Sequence, residues 1–313
     1  MTEVSLFVDS HCTLGESPVY DSRNNILYFV DINENAVHAV EYLESGRAGT
    51  HKVYGLDEPV GCVFLTTDVG RVGVATRRRI LLISCTVSEG EEHVSTEEVG
   101  VLPDGVGDDP NMRFNDGKVV PGGTHLVVGH MDSKWRDGNP GKLYSWCAST
   151  KMFQDITPPS GIGLPNGMVW TRDGSVCTLV DSCAESITAY ETDDDGVPIP
   201  TRDGRVIRAS PTSHARVPDG MTVDSQGNLW VALGESGSVV CYDGTSGQEI
   251  QRICLPVARP TSCNFGGPGL NTLFVTSRVE TGDNASPHHG GVFAVKIPGI
   301  VGLMADARLD ITL

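Results

Sequence analysis

No run in this 313-residue sequence approaches the roughly 18 consecutive apolar residues that a membrane-spanning helix needs. The N-terminal stretch from Met1 to Ser10 lacks a basic segment followed by an apolar one, so no export signal is read and a cytoplasmic protein is expected. Helical periodicity of useful length is also missing. Aromatic residues are scarce at 6%, while 37 Gly and 18 Pro punctuate short β-branched runs, a pattern that disfavours a parallel α/β fold and predicts an all-β chain. Cysteines number nine, an odd count without any Cys-x-x-Cys pair, which predicts reduced thiols rather than a disulfide framework or a zinc site.

Positive charge is short as well: 23 Lys and Arg against 40 Asp and Glu give a formal net charge of −17, which repels nucleic acid and anionic membranes. The one basic cluster, Arg77-Arg78-Arg79, lies between two apolar runs and reads as a solvated hairpin turn. There is no Gly-x-Ser-x-Gly elbow, no His-Glu-x-x-His and no phosphate-binding glycine loop.

What the sequence does contain is a repeat. Motifs beginning Gly15-Glu16-Ser17, Pro59-Val60-Gly61, Phe114-Asn115-Asp116, Pro165-Asn166-Gly167, Pro218-Asp219-Gly220 and Pro260-Thr261-Ser262 each open an apolar run, then a turn, then a second run. In every unit the second run ends fifteen residues after the keyed position, as from Glu16 to Asp31 or Asn166 to Asp181. Turns such as Arg172-Asp173-Gly174 and Ser225-Gln226-Gly227-Asn228 separate the two runs, and a third run follows, such as Ala36 to Tyr42. Four strands per unit, repeated six times, predict a six-bladed β-propeller spanning residues 1–313 as one domain. The run Val4 to Val8 is placed to complete the last blade and so remove an open sheet edge.

In a propeller the innermost strands line the central channel, so the keyed residues Glu16, Val60, Asn115, Asn166, Asp219 and Thr261 should form a ring at one mouth. Any one of these Asx-Gly or Pro-Asp-Gly sequences is most often a turn. Four acids or amides at matching positions, with no Lys or Arg among them, instead call for a cation to offset their repulsion. All-oxygen ligation favours a hard divalent ion, Ca²⁺ first, with Mg²⁺, Mn²⁺ or Zn²⁺ as alternatives.

Leu14-Gly15-Glu16-Ser17-Pro18, Arg113-Phe114-Asn115-Asp116-Gly117-Lys118, Pro165-Asn166-Gly167-Met168 and Pro218-Asp219-Gly220-Met221 together resemble the regucalcin (senescence marker protein 30) and gluconolactonase family. Matches continue at Leu229-Trp230-Val231-Ala232 and Gly290-Gly291-Val292-Phe293-Ala294-Val295, so the resemblance spans nearly the whole chain. It implies one divalent cation held by Glu16, Asn166 and Asp219, a sugar lactone contacted by Arg113 and Asn115, and Asp219 as the base. After Met131, where the regucalcin branch carries a substrate-binding glutamate, this sequence has Asp132-Ser133-Lys134-Trp135, and Asp132 is the candidate replacement.

The expected chemistry is hydrolysis of a small lactone, with the cation polarising the carbonyl and lowering the pKa of a bound water. Arg113 would grip a substrate oxygen or the developing oxyanion, or else pair with a surface acid. His130, at the top of a second strand, reads as a packed residue behind the site ahead of a proton shuttle. The acidic run Glu191-Thr192-Asp193-Asp194-Asp195-Gly196 lacks the glutamate an EF-hand needs, since position twelve falls on Arg202, and reads as a hairpin turn. Two alternatives stay open: a phosphotriesterase-like hydrolase on the same scaffold, and a non-catalytic calcium-binding protein.

Overall fold

The computed structural model describes residues 1–87, 94–135, 138–199, 201, 203–209, 217–281, 285–303 and 306–312. Six sheets of four antiparallel strands form six blades, as the repeat predicts. From the axis outwards, blade 1 runs Gly15–Asp21, Ile26–Asp31, Ala36–Tyr42 and Ala48–Gly55. The inner strands of blades 2 to 6 are Cys62–Leu65, Met112–Val119, Pro165–Trp170, Val217–Val223 and Pro260–Gly266. Each inner strand touches its neighbours in sequence, and that of blade 6 touches that of blade 1, so the ring closes.

Closure is made by the N-terminal strand Glu3–Val8, which pairs with Val292–Lys296 as the outermost strand of blade 6. Strands buried on both faces read as continuous apolar runs, as Ile26–Asp31 does with all six residues buried. Six hydrophobic clusters follow, one between each pair of neighbouring blades. The core is therefore a ring of inter-blade layers, and the axis is left for polar groups.

All nine cysteines are unpaired, as expected, and six of them are buried. The Arg77-Arg78-Arg79 turn is present between Arg71–Ala75 and Arg79–Ser84, but its guanidiniums are engaged rather than solvated. Arg79 Nε donates to Glu58 Oε1 at 2.6 Å, and Arg78 pairs with Asp108 and donates to the Leu102 carbonyl at 3.0 Å. The acidic run is a turn as well: Asp193 Oδ1 accepts the Asp195 and Val197 amides, and the Trp170 indole donates to the Gly196 carbonyl. Arg202 lies outside the described residues. Among the described residues no helix is long and apolar enough to cross a membrane.

Candidate functional site

The keyed residues reach the axis through a repeated irregularity. In blade 1 the pairing Glu16 with Val30 gives way to Val19 with Tyr28, one residue out of register. The same one-residue bulge follows Phe114, Pro165, Pro218 and Pro260 in blades 3 to 6. Blade 2, keyed by the apolar Val60, shows no such shift between its first two strands. A bulge releases a residue from the ladder and re-aims its side chain, which is how a ring of polar groups is pushed off the pleat into the channel.

Two further devices fix these positions. Asp31, at the end of the second strand of blade 1, accepts the Thr13 and Leu14 amides at 2.7 and 3.0 Å and so sets the entry into Gly15-Glu16. Asp181 does the same in blade 4 with Gly163 and Leu164. The glycine after Asp219 has a different task from the turn its sequence suggests. A Cβ on Gly220 would stand 1.9 Å from Ser262 Oγ, so adjacent inner strands can pass only because it is absent.

A chain of hydrogen bonds crosses three blades. Arg113 Nη1 donates to Asn115 Oδ1 at 2.7 Å, and Asn115 Nδ2 donates to Asn166 Oδ1 at 2.8 Å. Asn166 Nδ2 donates to Ser182 Oγ at 2.8 Å, and Ser182 donates to the Pro218 carbonyl at 2.5 Å. Because Ser182 spends its single proton on that carbonyl, it can only accept from Asn166, which turns the Asn166 oxygen away from Ser182 and towards Asn115. Glu16, Asn115 and Asn166 are all buried.

Electrostatically this is an acid cluster. Burial, then the charges of Asp219 and Asp116, hold the Glu16 carboxyl well above the usual carboxylate range. Asp219 is raised in the same way by burial and by Asp116, with Arg278 and Arg113 acting in the opposite direction. Burial lifts Asp116 to about 6 against the pull of Lys118 and Arg113. The Arg113 guanidinium is pushed down to about 10 by burial, although Glu16, Asp219 and Asp116 favour its charge. Three carboxyls and one guanidinium thus share a volume that water screens only weakly.

The structure brings Glu16, Arg113, Asn115, Asn166 and Asp219 to one channel mouth. It places Asp132 differently: Asp132 Oδ1 accepts the Lys134 amide, and Oδ2 accepts the Asn139 amide and carboxamide at 3.0 and 2.8 Å. Those donors lower its pKa and tie it to its own loop. His130 is buried against Phe114 and Tyr144 with Nε2 3.2 Å from the Arg77 carbonyl oxygen. Burial depresses it to about 4, as befits a neutral packed residue.

Sequence reasoning missed two members. Asp116 lies inside the blade 3 bulge, where two successive residues turn inward and ordinary strand alternation gives no warning. Arg278 stands at the same repeat position in blade 6 as Asp132 does in blade 3, a signal that was available. Deeper in the channel Lys118 pairs with Asp306 at 3.1 Å, and Asn264 Nδ2 donates to Asp306 at 2.7 Å. Asp306 belongs to a C-terminal strap, of which Asp306 and Ala307 line the channel beside Leu65, Val119 and Asn264. The strap bonds to Val223 and Ser225 through Leu303 and Val301, and to Leu65 and Thr67 through Leu309.

Among the described residues no three His, Cys, Asp or Glu side chains stand close enough to chelate an ion by themselves. The ring set Glu16, Asn166 and Asp219 instead offers two carboxylates and one oriented amide oxygen. That donor set fits a hard divalent cation, whose charge would relieve the repulsion that now raises Glu16 and Asp219.

A six-bladed propeller with an oxygen-rich polar ring at one channel mouth is the class this structure defines. Residues 14–279 match the family described as the SMP-30/gluconolactonase/LRE-like region, and the chain belongs to that family. It is 30% identical to regucalcin of Gallus gallus over 298 residues, covering 93% of each chain. To pentonolactonase XacC of Haloferax volcanii it is 31% identical over 283 residues, covering 90% of this chain and 88% of that one. Among solved structures, the calcium-binding protein regucalcin of Agrobacterium tumefaciens superposes with a TM-score of 0.83 at 25% identity, covering 97% of this chain and 96% of that one.

Proposed function

We propose that this protein is a metal-dependent lactonase that opens a small sugar lactone with water. The observation that carries the reading is the cluster of Glu16, Asp116 and Asp219 around the axis, beside an oriented Asn166 oxygen and the Arg113 guanidinium. A relative named pentonolactonase supports the lactone, and a solved relative described as a calcium-binding protein supports the cation. Glu16, Asn166 and Asp219 would hold one divalent cation, Ca²⁺ first by donor type. When bound, that ion polarises an ester carbonyl and makes a water acidic enough to attack at neutral pH.

The chain's own groups do the rest. Asp219 accepts the proton of the attacking water at a carboxylate oxygen and returns it to the departing alkoxide of the opened ring. Arg113 places its fork of donors on the substrate oxygen that gains charge. Asn115, whose two N–H donors go to Asn166 and the Pro165 carbonyl, holds that fork in register and keeps one lone pair of Oδ1 to accept from a ring hydroxyl.

The test is a panel of D-gluconolactone, a pentonolactone and a phosphotriester. It is assayed with chelated protein and after separate addition of Ca²⁺, Zn²⁺, Mn²⁺ and Mg²⁺, with Asp219→Asn measured at saturating metal. Lactone turnover that needs the ion and falls by about 100-fold or more in Asp219→Asn supports the reading. Phosphotriester turnover without lactone turnover would overturn the lactonase, and metal binding with no turnover at all would make the chain a calcium-binding protein.

A further inference from the structure

The ring contributes unequal chemistry from its six sectors. Carboxyls come from blades 1, 3 and 5 through Glu16, Asp116 and Asp219, and the carboxamide of Asn166 comes from blade 4. Blade 6 offers Thr261, whose hydroxyl is already spent on the Gly15 carbonyl and on Thr276. What blade 6 does place at the mouth is Arg278.

The main chain of Arg278 is fixed from two sides. It bridges to Leu14, next to the Gly15-Glu16 entry, and its amide donates to the Arg259 carbonyl at 3.1 Å, next to Pro260-Thr261. These two contacts set Arg278 at the channel mouth, at the end of the second strand of blade 6 and beside the entry to Glu16. Its Nε is buried and has no hydrogen-bond partner among the described residues. An unpaired buried donor on a guanidinium is costly unless a ligand completes it.

Charge decides what that ligand is. Ionised Glu16, Asp116 and Asp219 are offset by Arg113, Arg278 and a divalent cation with one positive charge left over, while Lys118 and Asp306 cancel each other below. Arg113 in blade 3 and Arg278 in blade 6 stand on opposite blades of the ring, three of six apart. One guanidinium is therefore free for the reacting ester while the other addresses the far end of the molecule.

We infer that Arg278 is a specificity-determining residue that selects lactones carrying an anionic group, a carboxylate or a phosphate, at the end remote from the ester. The inference rests on the lactonase reading for its site and names the substrate class of that site. Arg278 binds the anion through its planar fork, which a lysine cannot reproduce.

The experiment compares D-glucaro-1,4-lactone, 6-phosphogluconolactone and neutral D-gluconolactone in wild type, Arg278→Gln and Arg278→Lys. Calorimetric titration of the non-reacting glucarate and gluconate runs alongside. Wild type should prefer at least one anionic lactone. Arg278→Gln should lower the ratio of kcat/KM for anionic over neutral lactone by about tenfold or more through KM, with Arg278→Lys between. Which anionic substrate responds distinguishes carboxylate from phosphate. An equal loss on anionic and neutral lactones, or no loss, overturns the inference and leaves Arg278 structural. Should no lactone turn over, the lactonase reading fails by itself. Glucarate binding that tightens over gluconate and weakens in Arg278→Gln would still sustain the anion site, and equal binding would end it. If Arg278→Gln does not fold, Arg278→Lys and the salt dependence of wild-type selectivity decide between the same two outcomes.

Discussion

Replacing Asp116 by Asn should stabilise the metal-free protein at neutral pH. Asp116 is buried, and its carboxyl titrates at about 6 in the folded chain against an ordinary 3.8. A folded pKa above the unfolded one means that folding is favoured while the group is protonated and loses that favour as pH rises through the window between the two values. At 1.36 kcal/mol per pH unit the penalty reaches about 3 kcal/mol once pH exceeds 6. Asn keeps the shape and removes the charge. Urea unfolding in EDTA should therefore show Asp116→Asn more stable than wild type by up to about 3 kcal/mol at pH 7.5, with the gap closing by pH 4. The buried histidines act in both chains and cancel in the difference. A variant equal to or weaker than wild type at pH 7.5 would refute the reasoning, because Lys118 and Arg113 would then fully compensate the buried charge.

Acid should act on a second, separate site. His38 is buried against Phe29, with Nδ1 2.9 Å from His51 Nε2, and burial followed by the His51 charge depresses it to about 3. The stability it contributes is complete above the unfolded value of 6.5 and drains away as pH falls towards 3, so His38→Phe should flatten the acid limb of the urea midpoint. An unchanged slope would show that the pair is already protonated. Gly220→Ala puts a Cβ 1.9 Å from Ser262 Oγ and 2.5 Å from Ser262 Cα, so overpacking between blades 5 and 6 should cost about 1–3 kcal/mol in urea unfolding. Wild-type stability there would mean that the two strands separate freely.

The repeat was legible because its signal comes from the two innermost strands of each blade, which are buried on both faces and hence apolar throughout. The outermost strands are not: Phe153–Asp155 has three residues, and Thr96–Val101 is largely exposed, so neither carries a pattern. At the site, Glu16, Asn166 and Asp219 could be read from matching positions because the same bulge recurs around each of them. Asp116 could not, since strand alternation assigns it the face opposite Asn115 and only the bulge turns both inward. Asp132 shows a related limit of reading from position. Its place after the second strand is right for a substrate contact, but the Lys134 and Asn139 amides claim its oxygens first.

The acid cluster and the closure of the ring are one design problem. Ionised carboxyls on the axis oppose folding, yet the apolar layers that hold the blades together lie between blades and not along the channel. A polar axis therefore removes nothing from those layers. It does require that no blade slip, because Glu16, Asp116 and Asp219 sit on alternate blades and a shift of any one changes two of their separations. Closure supplies that rigidity from three directions. Glu3–Val8 locks blade 6, Asp31 and Asp181 pin the entries to blades 1 and 4, and the strap ending at Leu309 ties blade 5 to blade 2 beneath the site. A site whose own charges push it apart persists because its supports do not depend on it, and that leaves the charges free to serve a cation and a substrate.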